Sequence, residues 1–252
     1  MVSVEERVVA LVTGGAGGLG SAICRKLADA NMVVIVGYNR SADSAHQLAK
    51  SLAGEGHSAR RAPVTESAQL TALAAGIRKD YGRCDVLVNC AGITRFVRHA
   101  DLEALDDELI DKILATNVRG AFALVRAFRP MLEGSPLPGG GVVVNVSSAA
   151  GTLAMGSNVI YCASKAALDN MTKSLARALA PAIRVISVSP ALVDTEFVKA
   201  MDRGWHDEQV ARTPLGRLAT PEEIAAAVAA AITTLTFATG TILLVDGGRS
   251  LG

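Results

Sequence analysis

Aromatic residues are scarce: Phe, Trp and Tyr supply only 4% of the 252 positions. A core large enough for a chain of this length must therefore be packed from Ala, Val, Leu and Ile, and half of the residues are apolar. Neither sign of charge is in excess. The 25 basic and 24 acidic residues leave a formal net charge of +1, which offers no field for nucleic acid or anionic lipid. A small molecule is the expected partner. No uninterrupted apolar run reaches the about 18 residues of a membrane span, and Met1-Val2-Ser3-Val4-Glu5-Glu6-Arg7 has no signal-peptide pattern. The four cysteines, Cys24, Cys84, Cys90 and Cys162, show neither CxxC spacing nor a disulfide framework. They read as free buried thiols in a reducing, cytoplasmic setting. His46, His57, His99 and His206 are scattered without metal-ligand spacing, so no metal is expected.

What is present is alternation. Short Val/Ile/Leu runs at Val8–Val12, Val33–Val36, Ser58–Ala62, Asp85–Asn89, Gly141–Val146, Ile183–Ser189 and Thr241–Val245 predict seven strands. Between them, helices are predicted over Gly18–Ala30, Ala42–Leu52, Ser67–Tyr81, Leu105–Leu132 and Tyr161–Ala180, and from Pro221 with Thr220 as its N-cap. Strand and helix alternating through the whole length imply a parallel sheet with helices on both faces. No shift of composition divides the chain, so residues 1–252 read as one domain. Glu133–Gly141 is a Gly/Pro-rich loop, and the long connection Asp194–Thr213 reads as a lid.

Chemistry is concentrated at a few positions. Tyr161 and Lys165, four residues apart on a predicted helix, stack on one face. An ammonium beside a phenol favours the phenolate, so the pair can give or take a proton at a carbonyl or alcohol oxygen. Thr13-Gly14-Gly15-Ala16-Gly17-Gly18-Leu19-Gly20 directly follows the first strand and opens a helix. Glycines there allow a tight turn and let backbone N–H groups approach a pyrophosphate.

The run Thr-Gly-x-x-x-Gly-x-Gly resembles the signature of the short-chain dehydrogenase/reductase family. The resemblance continues through Asn89-Cys90-Ala91-Gly92, Asn117, Ser148 thirteen residues before Tyr161, the Tyr161-x-x-x-Lys165 pair, Pro190, and Asp246-Gly247-Gly248, and it covers essentially the whole chain. It implies a doubly wound Rossmann fold with strand order 3-2-1-4-5-6-7 and a catalytic group of Asn117, Ser148, Tyr161 and Lys165. Tyr161 is then the proton donor or acceptor and Lys165 binds the nicotinamide ribose. Ser148 stabilises the substrate oxygen, and the Asn117 amide holds a water leading to Lys165. The cofactor would be held by Thr13, Gly14, Gly18, Leu19, Gly20, Asn89, Ala91 and Gly92, by Tyr161 and Lys165, and by Pro190, Val193 and Thr195. After Pro190 this chain has Ala191 where relatives usually have Gly.

The end of the second strand bears on which cofactor. Gly37-Tyr38-Asn39-Arg40-Ser41 has no carboxylate where NAD-dependent enzymes place one on the ribose. Arg40 and Ser41 can instead hold a 2′-phosphate, with Tyr38 and Asn39 beside them, so NADP(H) is expected over NAD(H). Two departures run the other way. Gly17 stands where many NADP-dependent relatives are basic, and Pro63 stands where relatives often place Asp against adenine, leaving Val64 for the ring.

Within the family, Gly92-Ile93-Thr94-Arg95, Thr213-Pro214-Leu215-Gly216-Arg217 and Gly247-Gly248 look most like 3-oxoacyl-(acyl carrier protein) reductases. The loop Gly134–Gly140 and position Ala182 lack the arginines that such enzymes present to the carrier, with Arg177 and Arg184 as the nearby substitutes. Phe96, Val97, Leu153, Met155, Ile160, Phe197 and Trp205 are the candidate pocket rim. Arg95 and Arg98 suit an anionic group at its mouth, and His206 is a possible substrate contact. Reduction of a hydrophobic ketone leads. Oxidation of a secondary alcohol, or a silent nucleotide-binding protein, remains open. The helices Leu105–Leu132 and Tyr161–Ala180 are more apolar than one buried face needs, and in this family they pair between subunits, so a homotetramer or dimer is expected.

Overall fold

In the computed structural model of the chain, residues 7–199 and 202–251 are described. The N-terminal run read above for a leader lies outside them up to residue 6, as does the side chain of Phe197. The short β-branched runs form strands β1 (Val9–Thr13), β2 (Val33–Tyr38), β3 (Ser58–Arg61), β4 (Val86–Asn89), β5 (Gly141–Val146), β6 (Ile183–Pro190) and β7 (Ile242–Val245). They pair in parallel, in the order β3-β2-β1-β4-β5-β6-β7. The helices are α1 (Gly18–Asp29), α2 (Ala42–Ser51), α3 (Ser67–Tyr81), α4 (Asp107–Leu114), α5 (Gly120–Leu132), α6 (Ala150–Leu153), α7 (Val159–Leu179), α8 (Glu196–Lys199), α9 (Arg203–Ala211) and α10 (Pro221–Thr233).

Strand residues alternate between two cores because successive side chains leave opposite faces of a sheet. Ala10, Val12, Val34, Val36, Val144 and Ile186 pack with residues of α1, α2 and α10. Val9, Leu11, Val33, Ile35, Val143 and Val185 pack with α3, α5 and α7. Both faces are dry, which is why the central strands read as unbroken apolar runs rather than alternating ones.

That apolar pattern stops in one row. Thr13, Asn89, Asn145 and Ser187 stand side by side in the register of β1, β4, β5 and β6, all buried. They are stitched rather than hydrated: the Asn89 amide donates to Asn145 Oδ1 (2.8 Å), the Asn145 amide donates to Thr172 Oγ1 (2.9 Å), and the Ser187 hydroxyl donates to Asp169 (2.7 Å). β1 and β4 end at this row, and β5 and β6 run on to Val146 and Pro190 before their loops.

The structure corrects three expectations. The predicted helix Leu105–Leu132 is two helices joined by a π-helical turn, Ala115–Arg119, with Asp106 as the N-cap. The wider turn swings Asn117 inward, where its amide bonds a neighbouring loop and is 2% exposed. The connection Asp194–Thr213 contains α8 and α9, the latter capped by Asp202. Arg184 is not a surface cation. It is buried on β6 and donates to the carbonyls of Ala231, Ile232 and Leu235, tying off the end of α10. Thr220 caps α10 as predicted, within a reciprocal capping box with Glu223.

Candidate active site

The Gly-rich turn leaves β1 with Gly14 at φ +65°, a conformation that favours glycine. A Cβ on Gly20 would stand 2.2 Å from the Gly14 carbonyl oxygen, so α1 crosses its own entry turn in direct backbone contact. Thr13 braces the turn from beneath: its hydroxyl donates to Val88 O, and the N–H groups of Cys90 and Ala91 point at the same oxygen, each at 3.3 Å. A cleft of about 360 Å³ opens above. Its floor is the turn, with Gly14, Gly18, Leu19 and Gly20. One end is formed by Tyr38, Asn39, Arg40 and Ser41, the side by Val64, and the far end by Ala91 and Gly92. Asn89 sits below the cleft in the stitched row, and Pro190 accepts a hydrogen bond from Ala149 N.

Val193 and Thr195 come from far along the chain. Val193 forms an isolated bridge with Ala219, and Thr195 lies against Gly18, whose added Cβ would meet the Thr195 methyl at 3.6 Å. The start of the 194–213 segment therefore rests on the Gly-rich turn. Its end reaches the loop between α6 and α7, where Arg212 lies 3.4 Å from Met155 Sδ.

Tyr161 and Lys165 share one face of α7. The Lys165 Nζ is 5.7 Å from the phenol centroid and donates to Val146 O at 2.8 Å. Lys165 is 6% exposed, and among the described residues no carboxylate pairs with it. An ammonium has three donors, and the Val146 carbonyl takes one. A Cβ on Gly92 would stand 3.8 Å from Lys165 Nζ and 3.4 Å from Asn117 Oδ1. The cleft and the Tyr161–Lys165 pair thus meet at Gly92. Ser148 lies two residues past Val146, between Ser147, whose N–H bonds Val188 O, and Ala149, bonded to Pro190 O. Its hydroxyl accepts from Ala150 N at 3.2 Å.

The Asn117 amide is more committed than its sequence role implies. Both donor hydrogens are used, on Ile93 O and Ser164 Oγ, and its oxygen accepts from Ile93 N at 2.9 Å. One acceptor lone pair remains for a water. The side chain first pins the loop after β4.

Ala62, Cys90, Ile93 and Thr116 also line the cleft and were not singled out from the sequence. Cys90 and Ile93 lie in or beside the Asn89–Gly92 run, where contact with its neighbours was the available signal. Thr116 had none, because the π turn alone brings it in. Burial pushes the Cys90 thiol up to about 11 and the Cys84 thiol up to about 12, and it raises Cys24 as well. These thiols stay protonated and inert. Of the candidate rim, Phe96 and Met155 are exposed, Leu153, Ile160 and Trp205 half-buried, and Val97 buried. His206 faces Asp194 at 3.7 Å.

A family model described as enoyl-(acyl carrier protein) reductase matches residues 14–250. The chain belongs to the short-chain dehydrogenase/reductase family. It is 39% identical over 250 residues to a Streptomyces violaceoruber protein named as a ketoacyl reductase of granaticin polyketide synthase, covering 98% of this chain and 97% of that one. It is 36% identical over 249 residues to the D-threitol dehydrogenase of Mycolicibacterium smegmatis, covering 96% and 93%. A solved short-chain dehydrogenase/reductase structure from Burkholderia xenovorans superposes with a TM-score of 0.90 at 32% identity, covering 98% and 99%. Members of this family are oxidoreductases that act on small molecules with a nicotinamide cofactor. Among the described residues no helix is long and apolar enough to cross a membrane.

Proposed function

We propose that this short-chain dehydrogenase/reductase reduces a hydrophobic ketone, of 3-oxoacyl or similar type, to a secondary alcohol with NADP(H). The observation that carries the reading is Lys165: a buried ammonium without an acidic partner among the described residues, set between the Tyr161 ring and Gly92 of the cleft. Burying such a charge is costly unless something polar or anionic meets it. A ribose hydroxyl and a developing phenolate are groups of that kind.

The nicotinamide cofactor, bound in the cleft, supplies the hydride. Tyr161 gives its hydroxyl proton to the carbonyl oxygen as the carbon is reduced. Lys165 holds the charge left on the phenolate, and Ser148 presents its hydroxyl to the same substrate oxygen. Asn117 fixes the loop under the substrate, and its free lone pair can hold a water on the path that returns a proton from solvent. Preference for NADP(H) rests on Arg40 and Ser41. Arg40 is exposed at the cleft with no ion pair among the described residues, and the Ser41 hydroxyl makes no capping hydrogen bond to α2. Both are open to a 2′-phosphate.

Residues 194–213 act as the substrate lid of one dinucleotide-binding domain, an assignment supported by the contacts of Thr195 with Gly18 and of Arg212 with Met155. With Arg184 buried and spent on carbonyls, Arg177, exposed in the last turn of α7, is the one substitute left, and a free or CoA-linked ketone suits this surface better than a carrier-protein ester. A homotetramer, or else a dimer, in the cytoplasm completes the proposal. Exposed Leu114 and Phe122 on one side, and Phe237 and Leu244 on another, offer two apolar faces for it. A second reading, oxidation of a secondary alcohol, uses the same groups in reverse and is favoured by the resemblance to a threitol dehydrogenase.

The test is a panel of 3-oxoacyl-CoA, its carrier-protein ester, small ketones and aromatic aldehydes, each run with NADPH and with NADH. The wild type and Tyr161→Phe are compared throughout. We expect NADPH-dependent turnover that falls about a thousandfold in the variant while cofactor binding is retained. Better use of NADH, or substantial turnover by Tyr161→Phe, rejects the corresponding half of the proposal.

A further inference from the structure

Asn158 is fully buried at the N-terminus of α7. Its Oδ1 accepts from the backbone N–H of Tyr161 at 2.6 Å, an N-cap bond made directly to the catalytic residue. Capping needs only an acceptor, which Ser, Thr or Asp supplies as well. The amide adds donors, and they are in use. Nδ2 donates to Arg95 O at 2.7 Å and to Thr94 Oγ1 at 3.2 Å. The orientation of the amide follows from its partners, since Tyr161 N can only donate and Arg95 O can only accept.

These bonds sit in a seam between two loops. Val97 N donates to Ser157 O at 2.8 Å, the hydroxyls of Thr94 and Ser157 are bonded to each other, and His99 Nε2 lies 3.1 Å from Gly156 O. Each loop carries one exposed apolar side chain of the candidate substrate mouth: Phe96 at 59% and Met155 at 45%. Residues 94–99 and 155–158 therefore behave as one jaw, and within it Asn158 is the side chain that also holds the backbone of Tyr161.

We propose that Asn158 is a positioning residue that sets the place of Tyr161 relative to the substrate-facing loop 94–97. Through one amide, the loop that meets the substrate and the turn that carries the proton donor share a reference point. A shift of a fraction of an ångström at either end is passed to the other, and proton transfer is sensitive to displacement on that scale. The inference rests on the reading of Tyr161 as the proton donor.

Asn158→Ser keeps a capping oxygen but loses the donors to Arg95 and Thr94. Thr94→Val removes the hydroxyl partner and leaves the cap intact. We expect Asn158→Ser to lower kcat about tenfold, and Thr94→Val about threefold, with the NADPH Kd within about twofold of wild type and the melting temperature little changed. A merely structural role would move the melting temperature and Kd along with kcat. The proposal is overturned if kcat stays within about twofold in both variants, or if it falls only in step with stability. If Asn158→Ser does not fold, Thr94→Val alone decides. Failure here leaves Tyr161→Phe inactive, whereas failure of the underlying reading shows as turnover in Tyr161→Phe itself.

Discussion

Asp85 at one end of the sheet and the polar groups at the other end are treated in opposite ways. At the N-terminal edge, Asp85 just before β4 is buried with every acceptor position filled. Arg83 grips both oxygens, Val9 N donates to Oδ2 at 2.9 Å, and Ser135 donates to Oδ1 at 2.8 Å. At the C-terminal edge, capacity is left open. Asn89 Oδ1 and Ser189 Oγ are buried and lack partners among the described residues, the Ser41 hydroxyl makes no cap, and Lys165 commits one donor of three. A protein that satisfies its buried polar groups leaves some unsatisfied where something else is to bind. On the proposed function, the difference separates a group that holds the sheet from groups that would meet cofactor or substrate.

The sharpest way to break this contrast is Gly20→Ala. The added Cβ falls 2.2 Å from the Gly14 carbonyl, so the turn or the helix must move. We expect a loss of about 3 kcal/mol in stability together with loss of cofactor binding, read by thermal melts and NADPH fluorescence titration. Asp85→Ala attacks the other end and should do one thing only. It removes the acceptor of Val9 N and of the Ser135 hydroxyl and one partner of Arg83, and about 2–3 kcal/mol of stability should go with them. The kcat of the folded fraction should stay unchanged; a fall in kcat would mean that the two ends are coupled.

The smallest effect concerns an exposed ion pair, Arg217 with Glu223. Hydrogen bonds from Arg217 lower the Glu223 carboxyl from its usual 4.5 to about 2. A lowered folded-state value gives stability that is complete above pH 4.5 and is lost as pH falls toward about 2. Because the pair is exposed, the contribution is screened. Glu223→Gln should flatten the pH dependence of the melting temperature in that window slightly and leave the neutral-pH rate alone.

Much of the framework was legible because it is local. The strand order followed from the family resemblance, and the seven strands and the Gly-rich turn from short runs whose pattern each carries its own physical reason. Tyr161 and Lys165 were legible because helical spacing alone puts them on one face. The misses share one cause. Nothing in Ala115–Arg119 announces a π turn, so the commitment of the Asn117 amide and the entry of Thr116 into the cleft could not be read. Arg184 looked like a surface cation because its partners, the last carbonyls of α10, lie about 50 residues away. Asn158 was not singled out at all, since its amide partners lie more than 60 positions upstream.

By itself the sequence determined where a glycine turn follows the first strand, that Tyr161 and Lys165 share one helix face, and that the sheet is parallel with helices on both faces. Periodicity and glycine placement act over a few residues, and a few residues suffice to read them. Tertiary structure alone decided which polar groups were consumed by neighbours and which stayed free. A hydrogen bond is made once, by whichever partner the fold brings within 3 Å, and those partners come from distant parts of the chain.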